Sequence, residues 1–203
     1  MATSVVLVRH GQTRSNATGF VMGWSEEDLD ETGYMQARRL ASRMAGLQVS
    51  SIYSSPLRRT LATASIIAEP HGLEPIVLED LIENNLGDWQ GLHEDDIWRG
   101  WPEIRKQSMI DPSDVTMPNG ESFRQVTERA VRAFDMVLSS NEGGQPVIVT
   151  HDVIVRVLVA HVLGVTNSIY RRLMINNASL SVIRVADGES TLVTLNDVSH
   201  LEG

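Results

Sequence analysis

Apolar and polar positions along the chain fall into blocks whose period changes. Ser4–Val8 is a short apolar run rich in β-branched residues, the pattern of a strand buried on both faces. Ser51–Ser54, Ile76–Leu78 and Gln145–Thr150 are further short candidates for strands. Between them the apolar residues recur at helical spacing. Thr32–Leu47 carries Met35, Leu40, Met44 and Leu47 behind Thr32 as a candidate N-cap, and Ser55-Pro56 offers a cap and a first-turn proline for a helix reaching about Glu69. Ser122–Leu138 aligns Val126, Ala130, Phe134 and Val137, and Val153–Leu163 is closed by Gly164. Asn167–Leu173 reads as one more short helix. Leu180–Val185 and Thr191–Leu195 alternate about Asp187-Gly188 like a hairpin. Residues 80–120 hold no period, only short helical pieces among Trp, Gly and Pro.

Strands and helices alternate, which predicts an α/β fold: a three-layer α/β/α sandwich with a mostly parallel central sheet and an antiparallel pair at its edge. Residues 1–203 are expected to form one domain, with the irregular stretch at about 80–120 inserted as a lid or cap.

Composition narrows the function classes. The 17 basic and 26 acidic residues give a net charge of −9, so the chain is not expected to bind nucleic acid through its phosphate backbone. Any anion site must be a local cluster. There is no cysteine, which removes disulfide frameworks, thiolate metal sites and thiol nucleophiles. The six histidines, at 10, 71, 93, 151, 161 and 200, lack the paired spacing of a metal site, so no metal or cofactor is expected. The start lacks a basic leader with a long apolar core, and no apolar run approaches a membrane span. A cytoplasmic protein without membrane contact is the expectation. No self-complementary patch stands out, so a homodimer stays open.

In open α/β sheets, sites form beyond the carboxyl ends of the strands. Arg9 and His10 stand at the end of the first strand, His151 after Thr150, and Arg58 in the first turn after Ser51–Ser54. Glu83 follows the third strand. Two arginines suit bidentate phosphate contacts. One imidazole can attack phosphorus, another can stabilise equatorial oxygens, and a carboxylic acid can protonate a leaving alkoxide.

These residues also lie in a recognisable series. Leu7-Val-Arg-His-Gly-Gln-Thr-Arg-Ser-Asn16 resembles the R-H-G-x-T-x-x-N signature of the histidine phosphatase superfamily, which includes the phosphoglycerate mutases. Ser54–Ala64, Leu81–Gly91 and Val147–His151 are similar to its later motifs, in order, and Asn119-Gly-Glu-Ser122 matches a common helix start there. The resemblance implies that His10 is the nucleophile, that Arg9, Arg58 and His151 bind the transferred phosphoryl group, and that Glu83 is the proton donor. It further implies that Asn16, Gly23, Met22 and Arg14 line the mouth. Asp152 stands where the family often has glycine. It is read here as a cap for the helix near Val153, with an effect on the charge of His151 as the alternative. Gln90 replaces a frequent Glu with little expected consequence, and Leu86 bears on substrate choice. The tail with His200 either folds back to the site or merely packs.

A mutase of this kind carries a longer, basic insertion after the proton-donor motif. Here Leu92–Pro118 is short, with Arg99, Arg105 and Lys106 set among six carboxylates. The expected function is therefore a metal-independent phosphomonoesterase acting on a small phosphorylated metabolite through phosphohistidine. The alternatives are a phosphoglycerate mutase and an inactive phospho-ligand-binding module. Trp89, Trp98 and Trp101 give the lid either a partly apolar mouth or its packing onto the domain.

Overall fold

The computed structural model describes residues 1–202 and holds one six-stranded sheet. Its strands are β1 (Thr3–Arg9), β2 (Ser51–Ser54), β3 (Ile76–Val77), β4 (Pro146–Thr150), β5 (Leu180–Ala186) and β6 (Glu189–Asp197), in the order β3-β2-β4-β1-β5-β6. β3–β2, β2–β4 and β4–β1 are parallel, while β1–β5 and β5–β6 are antiparallel. The β5–β6 turn uses Asp187 and Gly188, with φ of 52° and 80°, the left-handed pair that matches strand twist in a two-residue hairpin.

Successive residues of the central strands point to opposite faces, and each face is covered. Val6, Val8, Ile52, Val147 and Val149 pack under α2 (Glu31–Met44) and α3 (Arg58–Ala68). Val5, Leu7, Tyr53, Ile148 and Ile183 pack under α6 (Phe123–Ser140) and α7 (Asp152–Val162). Two burials on one strand explain why β1 and β4 read as unbroken apolar runs.

Two helix starts differ from expectation. Asp30, not Thr32, caps α2, its Oδ1 accepting from the Gly33 N–H at 2.7 Å. The buried stripe of α2 is Gly33, Ala37, Leu40, Ala41 and Met44, so Met35 and Leu47 face outward. Small residues, Gly33, Ala37 and Ala41, carry three of its five positions, which hides its phase in the sequence. Helix α3 starts at Arg58 behind Leu57 with no side-chain cap, because Ser55 is engaged elsewhere. Ser122 does cap α6, in a reciprocal box with Gln125.

The stretch between β3 and α6 runs through 3₁₀ turns at Glu79–Leu81 and Gly87–Trp89 and two short helices, α4 (Glu94–Gly100) and α5 (Pro102–Ile110). Leu81, Trp89, Ile97, Val115 and Met117 bury against the α6/α7 side of the sheet. Among the described residues no helix is long and apolar enough to cross a membrane.

Candidate active site

The parallel register between β1 and β4 builds the centre. Arg9 lies opposite Thr150, so one residue further on His10 and His151 leave the sheet side by side, with ring centroids 5.2 Å apart. Both are buried. His10 Nδ1 lies 2.7 Å from the Gly11 carbonyl, which can only accept, so Nδ1 carries the proton and Nε2 keeps its lone pair. His151 Nε2 pairs with Ser55 Oγ at 2.8 Å. Ser55 Oγ also faces the Leu57 N–H, and the buried Nδ1 of His151 has no partner within the protein. Burial first, then Arg9 and Arg59, hold His10 well below the ordinary imidazole range. Burial, then Arg59, His10 and Arg9, do the same to His151. Without an anion, both rings are neutral at pH 7.

The second arginine is not the expected one. Arg58, at the first position of α3, is 60% exposed and reaches outward to Glu26 and Asp28 at 3.6 and 3.5 Å. Arg59 is 3% exposed and lines the cavity instead. The cause is helical phase: Arg59 shares its stripe with the buried Thr63 and Ile67, and Arg58 is turned about 100° away from it. That stripe was the available signal. Arg59 donates to the carbonyls of Ser25 and Gly23 at 2.9 and 2.7 Å, which ties the loop after β1 to α3.

Glu83 reaches the same cavity from an irregular segment that other groups hold in place. Arg129, buried on α6, donates to the carbonyls of Asp80 and Glu83 at 3.0 and 2.8 Å, and also to that of Ile82. Glu121 holds Arg129 at 2.9 Å and accepts from the Asn85 N–H at 2.8 Å. From the other side, the Trp24 indole donates to the Glu83 carbonyl and Gln90 accepts from the Trp24 N–H at 2.6 Å. Gln90 therefore has a positioning role that the sequence reading did not assign. Gly23 sits at φ 51°, and a Cβ there would lie 2.6 Å from Gln90 Oε1 and 2.9 Å from the Asn84 carbonyl. Its glycine serves the approach of two loops. The Glu83 carboxyl is raised to about 7, chiefly by burial, with Asp152 adding to the rise while the Asn84 N–H, Arg59 and Arg9 oppose it.

The cavity is about 250 Å³. Arg9, His10, Arg59, Glu83 and Asp152 line one end, with Asn16, Met22, Gly23 and Leu86 further out. Trp89, Ile97, Met117 and Phe123 also line it, together with Arg105, which is held by Glu94 at 2.6 Å. Arg14 is exposed on the short helix α1 (Arg14–Thr18) and is not part of the wall. Asn16 is held by the Thr13 N–H and by Asn177 at 3.2 and 2.9 Å. Asn177 also reaches the His10 carbonyl, a tether that no sequence motif marked.

Asp152 is no cap. His151 holds the N-cap position of α7, and the Asp152 carboxylate turns to Arg156 Nε at 2.9 Å, with the Tyr170 hydroxyl and Arg9 at 3.4 and 3.9 Å. The position one residue past the strand turns its side chain into the cavity mouth, where Arg156 out-competes the helix amides. Trp89 is buried in the cavity wall, while Trp98 and Trp101 lie outside it. The tail packs on α2, where Arg39 donates to the Leu201 carbonyl at 2.8 Å, so His200 lies away from the cavity.

Comparison with known proteins agrees with this geometry. The profile of the histidine phosphatase superfamily (branch 1) matches residues 5–198. The chain is 36% identical over 202 residues to phosphoglycerate mutase-like protein 4 of Arabidopsis thaliana, covering 98% of this chain and 86% of that one. It is 33% identical to phosphoserine phosphatase 1 of Hydrogenobacter thermophilus, covering 97% and 93%. The solved structure of Bacillus stearothermophilus YhfR superposes with a TM-score of 0.94 at 30% identity, covering 98% of this chain and all of that one. Fold, motif order and profile agree, and the chain belongs to branch 1 of the histidine phosphatase superfamily.

Proposed function

We propose that the protein is a phosphomonoesterase acting on a small phosphorylated metabolite through a phosphohistidine at His10. The observation that carries this reading is the union, in one small cavity, of a free imidazole nitrogen, two arginines and a carboxyl that is half protonated near neutral pH. Arg9, Arg59 and the His151 N–H take the phosphoryl oxygens. His10 Nε2 attacks phosphorus while the ester P–O bond breaks, and Glu83 gives its proton to the leaving alkoxide. A bound phosphate dianion favours the protonated acid still further by like-charge repulsion. In the second step Glu83, now a carboxylate, takes a proton from water, which attacks phosphorus. The P–N bond breaks, and phosphate and free His10 are released. The two arginines supply the charge that stabilises the equatorial oxygens in both steps.

A mutase needs a firm hold on a second phosphate. Beyond the phosphoryl end, Arg105 is already bound by Glu94 and only Arg171 adds another cation to the lining, which leaves a thin cationic surface for a bisphosphate. This favours the phosphatase, although the Arabidopsis relative is named for the mutases. The test is phosphate release from p-nitrophenyl phosphate and metabolite monoesters in EDTA, for wild type and His10→Ala, with 3- and 2-phosphoglycerate interconversion measured on the same samples. Release that vanishes in His10→Ala is expected. Interconversion without release would make the protein a mutase, and ester binding without turnover would make it a binding module.

A further inference from the structure

Ser55 precedes α3, but its hydroxyl does not cap that helix, which starts with no side-chain cap at all. A serine hydroxyl near a helix entry usually stabilises the first turn, and here that contribution is given up. The hydroxyl turns instead to His151 Nε2 at 2.8 Å. Both residues are wholly buried, so water completes neither of them.

The backbone of Ser55 is fixed independently of that contact. Its N–H donates to the Val149 carbonyl at 3.1 Å, and its carbonyl accepts from Ser54 Oγ and Thr60 Oγ1 at 2.8 and 3.0 Å. Val149 lies on β4 opposite Ser54 of β2, two residues before His151. One pair of parallel strands therefore carries both the hydroxyl and the ring.

Two arrangements of the neutral ring fit a 2.8 Å contact, and burial separates them. With the proton on Nε2, the ring would donate to Ser55 Oγ. The serine O–H would then have no acceptor among the described residues, and Nδ1 would present a bare lone pair. With the proton on Nδ1, Ser55 donates to Nε2 and both are satisfied. Nδ1 has no partner within the protein, so its N–H is a donor held in reserve. Burial, then Arg59, His10, Arg9 and Arg129, disfavour the doubly protonated ring.

We infer that Ser55 is a positioning residue for phosphoryl binding: its hydroxyl holds the His151 ring so that Nδ1 meets the phosphoryl oxygens as an N–H and not as a lone pair. A lone pair there would repel them, whereas a donor fixed in place stabilises their charge. The inference deepens the phosphatase reading and rests on it for the place of the phosphoryl group.

The test reads the ring directly. Proton–nitrogen correlation spectra of protein labelled with nitrogen-15 at histidine, in mildly alkaline buffer, should show a protonated Nδ1 and a bare Nε2 for His151. Its signals are identified by their loss in His151→Gln. Ser55→Ala is expected to add the Nε2–H form. It should also weaken the binding of inorganic phosphate, measured by calorimetry, by roughly fivefold, the scale of one hydrogen bond. Ser55→Thr keeps the hydroxyl and is expected to restore both readouts. In a His151→Gln background, Ser55→Ala should change phosphate affinity by less than about twofold, because Ser55 acts through the ring. Melting temperatures confirm that each variant is folded. A protonated Nε2 in the wild type, an unchanged tautomer or phosphate affinity in Ser55→Ala, or an equal loss in the His151→Gln background would overturn the inference. Failure of the phosphatase reading shows separately, as wild type that releases phosphate from no ester, because neither the ring signals nor phosphate binding depends on turnover.

Discussion

The two ends of the reaction come from unlike parts of the molecule. His10, His151 and Arg9 are placed by two central parallel strands, buried on both faces and locked in register residue by residue. Glu83 sits in a segment with almost no regular structure, held by Arg129, Glu121, Trp24 and Gln90. The first half is delivered by backbone pairing, with Ser55 on His151 and Asn177 on the His10 carbonyl as its few side-chain supports. The second depends on a set of buried polar contacts, each of which is a point of failure. In the proposed mechanism, nucleophilic attack is therefore built on rigid ladder geometry, and proton transfer on a replaceable network.

The largest expected effect separates the two adjacent arginines of α3. Arg59→Ala removes a buried phosphoryl contact and a loop tether, and should lower kcat/KM by roughly 100-fold or more. Arg58→Ala, on the exposed side, should change it by less than about threefold. Similar losses in both would break the phase argument. Next comes Glu83→Gln, whose kcat/KM should fall roughly 100-fold on alkyl phosphates and much less on p-nitrophenyl phosphate, whose leaving group hardly needs a proton. Loss of the same size on both would remove Glu83 from the acid's role. The same variant tests burial. A carboxyl at about 7 when folded and near 4.5 when unfolded binds the extra proton only in the folded state between those values. Stability therefore falls as pH rises through that window, by about 3 kcal/mol in all. Glu83→Gln escapes this loss, so its melting temperature should gain on wild type between pH 5 and pH 8.

Arg129→Met probes the scaffold of the second half. It strands Glu121 and the carbonyls of Asp80, Ile82 and Glu83, and should destabilise the protein by roughly 3 kcal/mol. Its kcat/KM on alkyl phosphates should fall more than on p-nitrophenyl phosphate, reproducing the Glu83 pattern in weaker form. An equal fall on both would mean that Arg129 supports only the fold. The smallest effect belongs to Asp152→Asn. Asp152 helps to raise the Glu83 carboxyl, so the alkaline limb of kcat/KM, near pH 7 in wild type, should move to lower pH by less than about one unit. A limb that stays in place would leave Asp152 as a partner of Arg156 alone.

The same contrast explains what the residues disclosed unaided. β1 and β4 announce themselves as apolar runs ending in Arg9-His10 and Thr150-His151, so the strand-end half was legible. The choice between Arg58 and Arg59 required the phase of α3, which Thr63 and Ile67 carry only faintly, since threonine scores as polar. Arg14 looked equivalent to its neighbours because a five-residue helix gives no phase to judge by. The hold of Arg129 and Glu121 on Glu83 spans up to 46 positions and shows only once the chain is folded. Asp152 was misread because an acid before a helix is usually its cap, and the competing arginine lies a full turn inside the helix.

One experiment bears on both halves together. In Glu83→Gln, p-nitrophenyl phosphate should still phosphorylate His10, because that step needs little acid. Hydrolysis of the phosphohistidine should stall without the carboxylate that activates water. Rapid mixing should therefore give a burst of p-nitrophenolate approaching one equivalent per protein, with matching acid-labile phosphate on His10 and a slow steady state after it. Continued turnover by Glu83→Gln with no burst and no label on His10 would contradict the division of labour between the strand ends and the segment that carries Glu83.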